Sequence, residues 1–258
     1  MISLRNIVFI FSIFTLALGR HTLKIIEGED ADIKDYPYMV AFLQDNATMF
    51  LCGAAIINEN TLLTAAHCFF YENPYTATIT YGATIYYEGT KRNISKAFIH
   101  PNFTGEYAST NDIGVLKIDP PLVFSETVQP IKLPQSNTPN PEGKIANFAG
   151  WGISSFDLFH QTIKLQKVNL TIVDMKTCVE IYKNTDTPLD PETQICAQAD
   201  MSDGKMRGAC YGDSGSPLVV DGVTYGITSK CPGGCGNATT PTIYTRVAGY
   251  LDWLSDKL

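Results

Sequence analysis

The sequence predicts an all-β protein built from barrels, with helix largely confined to the end of the chain. Short apolar segments are separated by turns of Gly, Pro and Asn, a pattern typical of barrel architectures. The clearest β segments are residues 38–43, 50–57, 61–66, 113–118, 146–150 and 224–228. With 258 residues, 45% of them hydrophobic, the chain can bury one large core or two small ones.

Two segments have a helical pattern instead. Apolar residues near the C-terminus recur at i, i+3 and i+4, which predicts an amphipathic helix within 247–258. These apolar residues are Val247, Tyr250, Leu251, Leu254 and Leu258. A second, short helix is predicted over 174–182. Residues 129–143 are rich in Pro and Asn, so we expect this stretch to connect the two halves of the chain.

The N-terminus has the pattern of a secretory signal peptide. Arg5 supplies a positive start, residues 7–18 are apolar, and residues 17–19 offer small side chains for cleavage. We therefore expect a signal peptide over 1–19 and a secreted, extracellular protein. The alternative, a membrane anchor, is disfavoured because the apolar run is short for a bilayer. The formal charge of −7 gives no electrostatic reason to bind nucleic acid or an anionic membrane.

Sequons and cysteines also fit an extracellular protein. Five Asn-x-Ser/Thr sequons predict surface glycosylation, at Asn46, Asn93, Asn102, Asn169 and Asn237. Seven cysteines suit an oxidising compartment, although their spacing alone leaves the pairing open. A zinc site is disfavoured, because no CxxC is matched by a second CxxC or by an HxxxH.

Three short motifs carry side chains of nucleophilic catalysis. The segment 64–68 reads TAAHC, 112–116 reads DIGVL and 212–217 reads GDSGSP. They supply His67, Asp112 and Ser214, and His-Asp-Ser is a known chain order for a serine-nucleophile triad. Each residue alone has a structural explanation: a core histidine, a turn aspartate or a loop serine. In combination and in this order, the motifs resemble the trypsin/chymotrypsin family of serine proteases, from about residue 25 to the C-terminus.

The resemblance implies a fold and a domain division. The family fold is chymotrypsin-like, with two six-stranded antiparallel β-barrels, a C-terminal helix and an active site in the cleft between the barrels. It implies a signal peptide over 1–19, a short propeptide over 20–24 and a protease domain over 25–258. The first barrel would span about 25–133 and the second about 134–246, followed by the helix at 247–258.

The resemblance also implies roles for the motif residues. Ser214 would be the nucleophile, His67 its general base, and Asp112 the carboxylate that orients His67. The backbone N–H groups of Gly212 and Ser214 would form the oxyanion hole. Ser229 matches a family position whose hydroxyl contacts the catalytic aspartate and whose backbone pairs with the substrate.

Activation and disulfide pairing follow from the same resemblance. Cleavage after Lys24 by a protease with basic specificity would free the amine of Ile25, which would pair with Asp213. The disulfides implied are Cys52–Cys68, Cys178–Cys196 and Cys210–Cys235. Cys231 is left over, as a buried thiol, a partner for another molecule or a competitor of Cys235.

The specificity pocket of the family is read from a few positions. Its base corresponds to Gly208, which carries no charge and so disfavours Lys or Arg substrates. Its walls correspond to Cys231 and Thr242, whose side chains would narrow the slot. This pattern favours an elastase-like preference for Ala, Val or Leu at P1. A chymotrypsin-like preference for Leu, Phe or Tyr is the alternative if Cys231 turns away.

Lys230 departs from the family, in which a tryptophan is usual at this position. We expect its side chain to be solvated, as most lysines are. The alternative is that it favours an acidic substrate residue.

The functional prediction is a secreted endopeptidase with no cofactor or metal. The region 80–88, where some family members bind calcium, contains Glu88 as its one acidic residue. Expected partners are protein or peptide substrates, an activating protease and protein inhibitors, with a monomeric enzyme. The alternatives are a non-catalytic binding protein on the same fold and a regulatory protease with one target.

Overall fold

The computed structural model describes residues 28–44, 49–71, 73–105, 110–153, 162–187, 189–204, 206–237 and 239–258. The expected signal peptide and propeptide lie outside these ranges, as do Lys24, Ile25 and the sequon at Asn46. The described chain begins with a two-residue strand, β1 (Glu29–Asp30). Of the helices in the described ranges, none is long and apolar enough to cross a membrane.

The first half of the chain forms a closed antiparallel barrel of six strands. They are β2 (Met39–Gln44), β3 (Met49–Asn58), β4 (Thr61–Thr64), β5 (Thr78–Tyr81), β6 (Thr90–Ile99) and β7 (Gly114–Ile118). Neighbouring strands follow the order β2-β3-β4-β7-β6-β5, and β5 pairs back onto β2. Closure leaves this barrel without unpaired strand edges.

The second half forms another closed antiparallel barrel. Its strands are β8 (Ile145–Gly150), β9 (Gln166–Val173), β10 (Gln194–Ala199), β11 (Pro217–Val220), β12 (Val223–Lys230) and β13 (Thr242–Arg246). They follow the order β9-β10-β13-β12-β11-β8, and β8 pairs with β9 to close the barrel. The N-terminal β1 pairs with β9 of this second barrel, with Glu29 opposite Lys167. The two-barrel prediction is confirmed.

Two α-helices occur in the described ranges, in addition to the strands of the barrels. The first, α1 (Met175–Tyr182), confirms the short helix predicted over 174–182, and Asp174 caps it by accepting a 2.9 Å hydrogen bond from the Thr177 N–H. The second, α2 (Leu251–Ser255), follows a 3-10 turn at Val247–Tyr250. The helix predicted over 247–258 is therefore shorter than expected. In the 3-10 turn, Gly249 approaches the Glu192 carbonyl so closely that a Cβ there would lie 2.7 Å from its oxygen.

The C-terminal segment ties its end of the chain to the first barrel. Val247, Tyr250 and Leu254 are buried in the same apolar cluster as the interior of β2, β4 and β7. The interior of the second barrel forms a separate cluster around Phe148 and Tyr244. A further cluster joins the two halves, because Met39, Phe50 and Ala55 of the first barrel pack with Trp151 and Val219 of the second.

Three disulfides are present, with the implied pairing. Cys52–Cys68 joins β3 to the segment after β4, Cys178–Cys196 joins α1 to β10, and Cys210–Cys235 joins the loops that flank β11 and β12. Cys231 is a free thiol. A cross-link that closes a loop of this size contributes about 3 kcal/mol on the chain-entropy model.

Candidate active site

His67 and Asp112 come together on the first barrel. The strand predicted over 61–66 ends early, at Thr64, and the chain turns into a 3-10 helix at Ala66–Cys68 that carries His67. The backbone N–H of His67 donates to Oδ1 of Asp112 at 2.9 Å, and Nδ1 of its ring lies 2.7 Å from Oδ2. Both carboxylate oxygens therefore orient the histidine, which leaves Nε2 as the ring nitrogen available for a nucleophile.

Asp112 is buried, and its carboxylate accepts several hydrogen bonds. Its exposed fraction is 3%. The Ser229 hydroxyl donates to Oδ2 at 2.6 Å, as the resemblance implied. Burial alone would raise the pKa of Asp112, but the attraction of His67 and the hydrogen bonds from His67 and Ser229 hold it below its usual value. Asp112 is therefore ionised at neutral pH.

Ser214 lies on a loop of the second barrel that contacts the first. The Gly53 N–H on β3 donates to the Ser214 carbonyl at 2.8 Å. Gly215 has a φ of +81°, and a Cβ there would lie 2.2 Å from Oγ1 of Thr64. Only glycine permits this approach of the serine loop to the strand that leads to His67. Ser214, His67 and Asp112 line the same cavity of about 330 Å³.

The oxyanion hole assigned to Gly212 and Ser214 remains a prediction. Gly212 has a φ of +91°, in the left-handed region that glycine adopts without strain. This backbone turn immediately precedes the nucleophile loop.

Asp213 is a second buried carboxylate, next to Ser214 in the chain. Its exposed fraction is 0%. Its oxygens accept hydrogen bonds of 2.9 Å from the backbone N–H groups of Gly152 and Cys210. Burial raises the pKa of Asp213 to about 7, although these two hydrogen bonds lower it in part. In the described part of the chain, no cation is among the groups that perturb it.

The residues assigned to the specificity pocket are divided between two cavities. Ser229 and Cys231 line the main cleft, whereas Gly208 and Thr242 line a separate cavity of about 10 Å³. Sγ of Cys231 lies 3.5 Å from the Ala209 carbonyl oxygen and 3.7 Å from Oγ1 of Thr242. The Cys231 side chain thus lies between the cleft and the small cavity that Gly208 and Thr242 line. Burial raises the pKa of the Cys231 thiol to about 12, so the thiol is neutral and unreactive.

Lys230 is buried, so the expectation of a solvated lysine is wrong. Its exposed fraction is 7%, and it lines the main cleft. The reason is its place in the sheet: β12 continues to Lys230, which pairs with Ile243 of β13 beyond a bulge at Ser229. Burial lowers the pKa of Lys230, and the charge of Asp112 opposes this shift.

Three cleft residues were missed by the sequence reasoning. Phe103, Gly105 and Tyr211 line the cavity, and Tyr211 is 60% exposed. The Tyr71 hydroxyl donates to the Gly105 carbonyl at 2.9 Å, which fixes this loop at the rim. Tyr211 directly precedes GDSGSP and could have been found from that position, whereas the loop around Phe103 gave no signal.

The described sequons differ in their surroundings. Asn93, Asn102 and Asn169 are exposed, whereas Asn237 is half-buried. Nδ2 of Asn237 donates to the Gly233 carbonyl at 2.6 Å, and its Oδ1 accepts from Thr239 and Thr240 within the same loop. Glycosylation at these positions stays a prediction.

One group of metal-ligand type, Cys52, His67 and Cys68, occurs in the described ranges. The two sulfurs are bonded to each other in a disulfide, so they are not thiolate ligands.

A serine and a histidine that share a cleft between two closed barrels, with a buried aspartate behind the histidine, place the protein among the two-barrel serine hydrolases. The family model described as Trypsin matches residues 25–254. The chain belongs to the trypsin family of serine proteases.

Individual relatives agree with this assignment. The chain is 34% identical to duodenase-1 of Bos taurus, over 90% of this chain and 88% of that protein. It is 32% identical to a chymotrypsin of Phaedon cochleariae, over 90% of this chain and 82% of that protein. A solved structure described as a scabies mite inactivated protease paralogue, S-D1, has a TM-score of 0.79 and 27% identity, and covers 90% of this chain and 97% of its own.

Proposed function

We propose that this protein is a secreted serine endopeptidase, made as a zymogen, that cuts protein substrates after small or medium apolar residues. The observation that carries the catalytic part is the double contact of Asp112 with His67 in a cleft that Ser214 also lines. The three disulfides fit the extracellular location.

The proposed reaction is that of a serine nucleophile with a histidine base. Oγ of Ser214 attacks the scissile carbonyl carbon while Nε2 of His67 takes its proton. The oxyanion forms against the N–H groups of Gly212 and Ser214. The C–N bond then breaks as His67 gives the proton to the leaving amine, which leaves an acyl group on Ser214. Water attacks the acyl carbon with His67 as base, releases the acid and restores the serine.

The position of Cys231 supports the elastase-like P1 preference. Its thiol and the Thr242 hydroxyl narrow the slot above Gly208, so little depth is left for an aromatic P1 side chain. The alternative, a chymotrypsin-like preference for Leu, Phe or Tyr at P1, requires the Cys231 side chain to turn away from Thr242.

A panel of p-nitroanilide peptides tests this preference. The secreted protein is cleaved after Lys24 with trypsin, trypsin is inhibited, and release is measured from peptides ending in Ala, Val, Leu, Phe, Lys or Arg. We expect the highest kcat/KM with Ala, Val or Leu. Cys231→Gly should raise kcat/KM for Phe relative to Ala by roughly tenfold or more, because it opens the slot. Cys231→Ser keeps the side-chain size and is the matched control. Faster release from Phe than from Ala in the unaltered enzyme would contradict the narrow slot.

Activation by cleavage after Lys24 supplies a partner for Asp213. A buried carboxylate is stabilised by a nearby ammonium group, and the Ile25 amine would provide one. We therefore expect kcat/KM of the cleaved enzyme to fall at high pH, above the reference amine pKa of about 8, as this amine loses its charge. The pH profile is measured before and after chemical blocking of the amine. A profile that blocking leaves unchanged would count against this mode of activation.

A non-catalytic binding protein is the second candidate. The similarity to a mite protein described as inactivated supports it. The retention of His67, Asp112 and Ser214 favours the enzyme instead. If no peptide is hydrolysed after the Ile25 terminus has been confirmed, a binding role or a protease with one narrow target is the better explanation.

A further inference from the structure

The buried lysine of the cleft has no role in the mechanism described above. Lys230 lines the same cavity as His67 and Ser214, although its exposed fraction is 7%. Among the described residues that line this cavity, it is the one basic side chain besides His67; the remainder are neutral except Asp112. A substrate in the cleft therefore lies close to the positive charge of Lys230.

Burial makes this charge sensitive to what enters the cleft. An ammonium group loses hydration when buried, and the resulting penalty lowers the pKa of Lys230. The charge of Asp112 opposes this penalty. A carboxylate brought in by the substrate would stabilise the charged lysine further.

The end of β12 determines which substrate residues reach Lys230. A peptide substrate that pairs with the backbone of 229–231 lies in the cleft as an added strand. Alternate side chains of a strand point to the same face. With the P1 side chain directed at Cys231, the P2 and P4 side chains would share the other face, on which Lys230, the residue before Cys231, would also lie.

We propose that Lys230 binds a carboxylate at P2 or P4 and directs the enzyme to substrates with an acidic residue next to a small P1 residue. This inference rests on the proposed function. Charge-assisted hydrogen bonds are stronger than neutral ones, so Glu should be preferred over the isosteric Gln by roughly tenfold or more in kcat/KM.

Peptides with Ala at P1 and Glu or Gln at P2 or P4 test the proposal. The readout is the Glu/Gln ratio of kcat/KM at each position. We expect a ratio of about ten or more at P2 or P4 for the unaltered enzyme. Lys230→Met, which keeps the length without the charge, should bring the ratio close to one, and Lys230→Arg should preserve it. Lys176→Met, at an exposed position on α1, removes a positive charge elsewhere and should leave the ratio unchanged.

Two results would overturn the proposal. One is a ratio near one in the unaltered enzyme while the Gln peptides are hydrolysed normally; the other is a ratio that survives Lys230→Met. Binding of the same peptides to the Ser214→Ala protein, measured by titration, separates this inference from the catalytic one. If the protein binds the Glu peptide more tightly and Lys230→Met abolishes this preference, the role of Lys230 is supported even if the protein hydrolyses nothing. If no Glu preference in binding is found, that role is overturned whether or not the protein is an enzyme.

Discussion

Replacing Ser214 by alanine is expected to lower kcat by roughly a millionfold, because members of a triad act as a unit. The hydroxyl is the proposed nucleophile, and neither His67 nor Asp112 can substitute for it. The side chain is small and its loop is held by backbone contacts, such as that between the Gly53 N–H and the Ser214 carbonyl. The variant should therefore fold normally and lose only the chemistry.

The measurement is single-turnover and steady-state hydrolysis of the best p-nitroanilide peptide, with thermal unfolding as the check on folding. Asp112→Asn is a useful companion, because it should cost about 10⁴ in kcat by fixing the wrong tautomer of His67. A Ser214→Ala protein that retains activity within tenfold of the unaltered enzyme would reject Ser214 as the nucleophile.

Asp213→Asn should prevent activation. The N–H groups proposed for the oxyanion hole are those of Gly212 and Ser214, which flank Asp213 in the chain, and loss of such donors costs roughly 10²–10³ in rate. Without a carboxylate, the amine freed after Lys24 has no opposite charge to pair with. We expect the cleaved variant to be at least a hundredfold less active than the cleaved unaltered protein. Asp221→Asn, at an exposed position with a φ of +50° that Asn tolerates, is the matched control.

Titration of Asp213 should also make the stability of the uncleaved protein depend on pH. The pKa of Asp213 is raised to about 7 in the folded chain, so folding favours its protonated form. This contribution is fully present below the unfolded pKa of about 4 and is lost as the pH rises through about 7. The shift corresponds to about 4 kcal/mol in the free energy of unfolding of the uncleaved protein.

Denaturant unfolding of the uncleaved protein at pH 5 and pH 8 measures this effect. The difference in stability between Asp213→Asn and the unaltered protein should move in favour of the variant as the pH rises. A difference that is the same at both pH values would show that the pKa of Asp213 in the folded, uncleaved protein does not lie between them.

The sequence predicted which residues meet in the cleft better than it predicted their surroundings. His67, Asp112 and Ser214 lie in short motifs whose local context is fixed by backbone requirements, as the tight approach of Gly215 to Thr64 illustrates. The disulfide pairs were likewise accessible through the family resemblance. Local sequence and family pattern together therefore predicted which residues line the cleft and which cysteines pair.

The environment of the cleft could not be predicted in this way. Whether Lys230 is solvated depends on how the end of β12 packs, which is a property of the assembled sheet. The separation of Cys231 from Gly208 depends on a contact with Thr242, on the neighbouring strand β13. The C-terminal helix was predicted too long because the spacing of Val247 and Tyr250, three residues apart, fits a 3-10 turn as well as an α-helix.

The pairing of β1 with the second barrel has a consequence for activation. Glu29 and Asp30 are anchored to β9, so cleavage after Lys24 would release a terminus tethered by only a few residues. An extended segment from Glu29 back to residue 25 reaches at most about 14 Å from that anchor. Such a short tether holds its end at an effective concentration on the order of millimolar or above. If the chain is activated in this way, the new amine would act as a ligand supplied in cis, which lowers the intrinsic affinity for Asp213 that activation requires.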